Sequence, residues 1–283
     1  MNSIALSFDL EFWHNSEFLK KELSAVAVSN FDDRVVQQTE KILDLLNRNN
    51  SYATFFVLGE VAEKYPNLVK TIFDAGHEIA SHGYSHTALA ELTSASFEAQ
   101  IVKTNLIMKS ITGLSPVGFR APAFSLTEKT SWAIPILIKH GFKYDSSIFP
   151  SRISHYGHSS APRESYYISE KNIYRPNPTS PLLEVPVAVS KQFGFRLPIA
   201  GGIYFRLFPY QFYKRLVRRH NAKHATLLYF HPHEFDTTVT TYVPSSPLTL
   251  KRNLLYINYS SATNKLASLL SDFKGVSIIE KYL

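Results

Sequence analysis

Apolar and polar positions alternate along Ile4–Phe12. Ile4, Leu6, Phe8, Leu10 and Phe12 fall on one side, and Ala5, Ser7, Asp9 and Glu11 on the other. A period of two predicts a strand and puts both acids on one face. The period then lengthens: Val35, Val36, Ile42, Leu43, Leu45 and Leu46 predict a helix over Asp33–Asn47, with Asp32 or Asp33 as its cap. An apolar strand follows at Ala53–Leu58, then a helix over Glu60–Ala75 closed by Gly76, and a strand at His77–Ser81. Ser94–Thr112 reads as a long helix closed by Gly113, Val117–Arg120 as a short strand, Thr127–His140 as a helix interrupted by Pro135, and Tyr144–Ile148 as a strand.

The pattern fails between Phe149 and Pro181, where Pro, Ser, Tyr and Asn dominate, so an irregular insertion that shapes a cleft is expected. Order returns with Leu182–Val187, Pro209–His220 and the apolar strand Ala225–Phe230. A helix at Ala262–Phe273 and a strand at Val276–Glu280 complete the chain. Strands alternating with helices predict an α/β fold with a parallel sheet, closed or nearly closed into a barrel. The expected organisation is a single domain over residues 1–283, with no internal repeat.

Composition narrows the chemistry. The 283 residues are 45% hydrophobic and 19% charged, as in a soluble globular protein, and contain no cysteine. That excludes disulfides, thiolate metal ligands and a cysteine nucleophile. Met1-Asn2-Ser3 leads straight into the first strand, and no run approaches the ~20 apolar residues of a membrane span, so a cytoplasmic protein is expected. The net charge of +7 suits either an ordinary basic enzyme or attraction to an anionic membrane surface, a lipid-diphosphate-linked sugar or an acidic glycan. Outside Lys214, Arg215, Arg218 and Arg219 there is no dense basic run and no nucleic-acid motif.

Four segments bring titratable groups to strand ends. Asp9 and Glu11 would lie inside the carboxyl mouth of a barrel, where such folds place their chemistry. Adjacent carboxylates call for a cation or a shared proton, although a strand running into solvent would present the same pair. In His82-Gly83-Tyr84-Ser85-His86, the spacing sets two imidazoles on one side of a helical turn, close enough to share a metal ion. With one carboxylate they leave a position open for water. His77 reads as a structural histidine. Arg120, before Ala121-Pro122, suits a bidentate bond to a carboxylate, and N–H groups of its turn suit a developing oxyanion; an ordinary surface turn is the alternative. His231, at the end of an apolar strand, titrates in the range of a proton donor to a leaving amine, while His233 and Glu234 read as loop or supporting residues.

In this order the segments resemble the polysaccharide deacetylase family, also called the NodB-homology or carbohydrate esterase family 4 fold, from about Ile4 to His231. His82–His86, preceded by Gly76-His77-Glu78-Ile79, is the most specific part. Arg120-Ala121-Pro122 and Leu228–His231 follow later motifs. The segment Pro198–Pro209, with Gly201–Leu207 inside it, and His231-Pro232-His233-Glu234 are similar to the exopolysaccharide and surface-glycan branch. One departure is Asp9-Leu10-Glu11, where the common pattern has adjacent aspartates; a subset of the family has Asp-x-Glu.

The resemblance implies a distorted (β/α)7-like barrel and Zn²⁺, or another divalent ion such as Co²⁺ or Ni²⁺. It implies hydrolysis of an N-acetyl group from an amino sugar in a bacterial cell-surface or exported glycan, or in a lipid-linked precursor. It assigns Glu11, His82 and His86 to the metal, Asp9 to the base, Arg120 to orienting Asp9, and His231 to the acid. Asp145 matches the aspartate that tunes that histidine, with a turn cap as the alternative. His14, Tyr84, Tyr204 and the backbone at Ala123 are candidate substrate contacts, against readings as a loop histidine and core aromatics. A deformylase, a cyclic-amide hydrolase or a non-catalytic carbohydrate-binding relative are the alternatives, and the sequence carries no signal for oligomeric state.

Overall fold

In the computed structural model, Ser3–Leu10 forms β1, and every residue from Ile4 onward is buried. A strand inside a parallel sheet has both faces covered, which explains why its smaller face also lacks exposed polar groups. Residues 3–15, 34–152, 156–192, 194–237 and 257–283 are described; the expected cap at Asp32 or Asp33 lies outside them. In chain order there follow α1 (Arg34–Arg48), β2 (Thr54–Val57), α2 (Gly59–Lys64), α3 (Pro66–Asp74), β3 (Glu78–Ser81) and α4 (Ser94–Thr112). Then come β4 (Gly118–Phe119), α5 (Ala133–Lys139), β5 (Tyr144–Asp145), β6 (Tyr166–Tyr167) and β7 (Leu183–Glu184). The rest is a hairpin of β8 (Val189–Gln192) and β9 (Phe195–Pro198), then α6 (Gly202–Leu207), α7 (Tyr210–Asn221), β10 (Leu227–Phe230), α8 (Tyr259–Asp272), β11 (Lys274–Val276) and α9 (Ile278–Tyr282).

The main sheet runs β10-β1-β2-β3-β4-β5-β7-β6, with β11 also paired to β1. All pairings are parallel except β6 with β7. The outer strands β10 and β6 are not paired with each other among the described residues, so the α/β sheet is a curled half-barrel rather than a closed one. β4, β5, β6 and β7 are each two residues long, and closure fails on that side.

Local chemistry explains where the elements differ from expectation. The helix expected over Glu60–Ala75 is two helices, because Pro66 cannot donate a backbone hydrogen bond and instead starts α3. Pro135 sits in the first turn of α5, where its missing N–H is not needed. α4 begins at the Thr93–Ser96 capping box and ends at Gly113, whose φ of 79° suits glycine. The strand expected at Val276–Glu280 is short β11 followed by α9, because the Ser277 side chain accepts from Glu280 N and caps a helix.

Two apolar cores flank the sheet. Phe8 stacks on Phe55 at 5.2 Å and meets Phe230 at 5.9 Å in the larger one. The stretch over Phe149–Pro181 is largely irregular, as expected, but it is not a solvent flap. Ala161, Tyr166, Ile168 and Ile173 pack with Phe97, Phe119 and Ile134 into a second core. Among the described residues no helix is long and apolar enough to cross a membrane.

Candidate active site

The carboxyl ends of β1, β3, β4 and β10 deliver Asp9, His82, Arg120 and His231 to one place. Arg120 is completely buried. Its Nη1 donates to Asp9 Oδ1 at 2.6 Å and to Ser7 Oγ at 3.0 Å, its Nε to the Ser146 carbonyl at 3.1 Å, and its Nη2 to Ser146 Oγ at 2.9 Å. The guanidinium lies 4.1 Å over the Phe56 ring. A buried cation is tolerated only with its donors used in this way, and here the result is a fixed position for Asp9.

Glu11, one residue past the end of β1, meets the two histidines. Its Oε2 lies 2.7 Å from His86 Nε2 and 3.9 Å from His82 Nε2, and the three ligand atoms lie within 4.8 Å of one another. Strand alternation therefore carries Glu11 to the same side as Asp9. The histidines do not use the expected helical turn. Residues 82–88 form a bend, and Gly83 at φ +80° turns the chain so that His86 comes back beside His82. His82 Nδ1 donates to the Arg120 carbonyl at 2.8 Å, leaving Nε2 with its lone pair toward Glu11. Burial pushes the His82 ring down to about 4, the neutral form a metal needs. Burial works against charge on Glu11 as well, but His86, His231 and His82 outweigh it and hold its carboxyl below the ordinary range. Two imidazoles, His82 buried and His86 partly so, and one buried carboxylate fit a divalent transition metal.

His231 is half-buried opposite this cluster. Its Nε2 lies 3.7 Å from Glu11 Oε1 and 3.9 Å from Asp9 Oδ2. Its Nδ1 lies 3.6 Å from Glu234 Oε1, and its backbone N–H donates to Glu234 Oε2 at 3.1 Å. Burial opposes a charged ring, yet Glu11, Glu234 and Asp9 together raise His231 to about 9. Glu234, in a 3₁₀ turn over Pro232–Phe235, is pushed down to about 2, with His231 and Arg206 outweighing its burial. Asp145 is not the partner of His231. It accepts from Ser147 Oγ and N, and Ser147 Oγ in turn accepts from Ala121 N at 2.8 Å. It also pairs in register with buried Glu184, so it braces the Arg120 turn instead.

That turn is strained. Ala123 and Phe124 have φ of 54° and 50°, a region non-glycine residues rarely occupy. The Phe124 N–H is taken by the Ala121 carbonyl, whereas the Ala123 N–H has no acceptor among the described residues. From Phe124 an aromatic group runs through Phe149, Tyr156 and Tyr229 to His231, with ring centroids 5.0 to 5.7 Å apart.

The other expected substrate contacts are placed less directly. His14 stacks on Phe12 at 5.2 Å beside the end of β1. Tyr84 faces outward: its hydroxyl donates to Glu63 at 2.5 Å and accepts from Lys103. Tyr84 is therefore engaged by α2 and α4 rather than placed as the expected substrate contact. Tyr204 is half-buried on α6, and burial raises its hydroxyl pKa.

Residues 20–144 match the polysaccharide deacetylase family. That matched stretch, under half of the chain, is similar to a polysaccharide deacetylase domain. Residues 146–282 match a domain of unknown function, DUF3473. A peptidoglycan-N-acetylglucosamine deacetylase of Bacillus cereus is 42% identical over 109 residues, 38% of this chain and 40% of that protein. A peptidoglycan deacetylase of Helicobacter pylori is 34% identical over 41% of this chain and 39% of its own length. The chain thus spans about two-fifths of these curated relatives. Among solved structures, one from Mycobacterium smegmatis assigned to the polysaccharide deacetylases superposes with a TM-score of 0.61 at 20% identity, covering 98% of this chain and 87% of that one. That likeness supports the polysaccharide deacetylase fold.

Proposed function

We propose that this chain is a metal-dependent hydrolase that removes the N-acetyl group from an amino sugar in a glycan. The observation that carries the reading is the convergence of Glu11, His82 and His86 with the Arg120–Asp9 pair on one side and His231 on another. The peptidoglycan deacetylase names of the relatives support the acyl group and the sugar. A divalent ion, zinc in this reading, held by Glu11, His82 and His86 would supply Lewis-acid polarisation of the acyl oxygen and an acidified water. Asp9, fixed by Arg120, accepts the proton of the attacking water. The Ala123 N–H is available to the developing oxyanion. His231, kept protonated by its three carboxylates, gives its proton to the leaving nitrogen. Tyr156 and Tyr229 offer an apolar wall beside that transfer.

The test is acetate release from N-acetylglucosamine oligomers and peptidoglycan fragments, before and after chelation and with Zn²⁺ or Co²⁺ added back. Activity lost on chelation and restored by metal supports the reading. Turnover of formyl or cyclic ureide substrates without acetate release would assign the alternative hydrolase class. Absence of bound metal together with absence of turnover would leave a carbohydrate-binding relative.

A further inference from the structure

The net charge of +7 is concentrated in one stretch. From Val185 to His233 the chain has eight lysines and arginines and no aspartate or glutamate, while the remainder holds 22 cations against 23 acids. This stretch comprises the β8–β9 hairpin, α6, α7 and β10. Several of its cations are committed inside the fold. Arg206 lies 3.4 Å from Glu234, Lys214 pairs with Asp272, and Arg196 donates to the carbonyls of Pro150 and Ala161.

Arg215, Arg218, Arg219 and Lys223 are different. They are exposed on the outer side of α7 and its C-terminal extension, and none makes an ion pair among the described residues. The nearby acids are Asp272, already held by Lys214, and Glu164, paired with His224. The inner side of the helix (Tyr213, Leu216, Val217 and His220) is buried. At the start of the outer side, Leu207 and Phe212 are also exposed, by 39% and 45%, and Phe212 packs edge-on against Phe208 at 5.4 Å. Because α7 leads into β10, which runs parallel to β1, it descends from the carboxyl end of the sheet. The apolar pair is therefore at the end of the helix nearer the candidate site, and the cations follow below.

Cations along a helix with large apolar side chains beside them match an interfacial helix, which neutralises headgroups and seats apolar groups at the acyl boundary. A duplex or a sulfated glycan would use the cations and gain nothing from an exposed Leu and Phe, and a single strand could stack a base on Phe212 but gains nothing from Leu207. We propose that the outer face of α7, with Leu207 at its edge, docks the protein on an anionic lipid bilayer. This rests on charge placement and exposure, and stands apart from the deacetylase reading, because its test measures binding without turnover.

The test is co-sedimentation of the full chain with vesicles of phosphatidylcholine alone and of phosphatidylcholine containing one quarter phosphatidylglycerol. Binding is expected to the mixed vesicles only, and to fall steeply as salt shortens the screening length. Each of Arg215→Gln, Arg219→Gln and Lys223→Gln is expected to weaken partitioning about fivefold, and the triple variant about a hundredfold. Phe212→Ser should weaken it as well, with the melting temperature of every variant unchanged. Failure of the wild type to pellet with mixed vesicles at low salt overturns the proposal. So does a triple variant that binds like the wild type. Tight binding to heparin or single-stranded DNA, with vesicle binding insensitive to Phe212→Ser, would assign the face to a soluble polyanion instead.

Discussion

Replacing Arg120 with Met removes a guanidinium that is fully buried and makes four side-chain hydrogen bonds. Asp9, 3% exposed, would be left as a buried carboxylate facing an apolar group. Breaking one side of such a pair costs about 3–5 kcal/mol, mainly because the other charge is stranded. Asp9→Asn keeps the shape and removes the charge, costing about 2 kcal/mol. If the stranded charge dominates, the double variant should be much less destabilised than the sum, with a coupling of about 2–3 kcal/mol. Urea denaturation in the presence of a chelator, followed by the fluorescence of Trp13 and Trp132, measures all four corners without any contribution from metal. A coupling below about 0.5 kcal/mol would refute the argument, because it would mean that Arg120 does not hold the charge of Asp9. Should Arg120→Met fail to fold, Arg120→Lys in the same cycle retains a cation and loses the fork.

A Cβ at Gly202 would lie 2.0 Å from the Glu234 carboxylate, so Gly202→Ala must displace Glu234 from His231. Acetate release should drop at least about tenfold with metal content intact; unchanged turnover would show that Glu234 does not support His231. His231→Ala should lower kcat by about 10²–10⁴ with a smaller change in KM, and an effect confined to KM would remove His231 from proton transfer. His77 and His220 are pushed down to about 4 by burial, and each ring uses Nδ1 in a hydrogen bond, to Ala53 N–H and Thr226 Oγ1. The unfolded chain binds these protons near pH 6.5 and the fold does not. Stability is therefore full above that pH and falls toward pH 4, by on the order of 3 kcal/mol for each ring. His220→Gln should flatten the pH dependence of the urea midpoint between those limits; an unchanged slope would contradict the assignment.

Alternation in β1 was enough to bring Asp9 and Glu11 to one side, because a strand's side-chain period holds even one residue past its last ladder bond. The pairing of His82 with His86 was also legible from the spacing, but its mechanism was not, since Gly83 makes a bend where the spacing suggested a helix. Arg120 was found through its turn. Glu234 was undervalued because its approach to His231 depends on the 3₁₀ turn that Pro232 starts, and that turn has no apolar period to reveal it. Asp145 was misassigned for a related reason. Its neighbours Glu184 and Ser147 come from strand register and a local turn, and a two-residue strand leaves almost no pattern. The β8–β9 hairpin was missed because its tip mixes Lys, Gln and Gly without clean alternation. The open sheet likewise follows from two-residue strands, whereas sequence alternation alone suggested closure.

The place of β1 in the sheet also sets an order of assembly. Its neighbours are β2, β10 and β11, and Ser7 Oγ bonds the carbonyl of Leu228, 221 positions away. During synthesis the apolar Ile4–Leu10 segment emerges early, yet one of its edges stays unpaired until β10 has been made. Asp9 meets Arg120 well before it can meet His231. Such distant pairing slows folding and exposes an aggregation-prone strand in the interval. Glu11, His82 and His86 can therefore come together before His231 has been made, and a chain stalled before Leu227 would hold these three residues without His231.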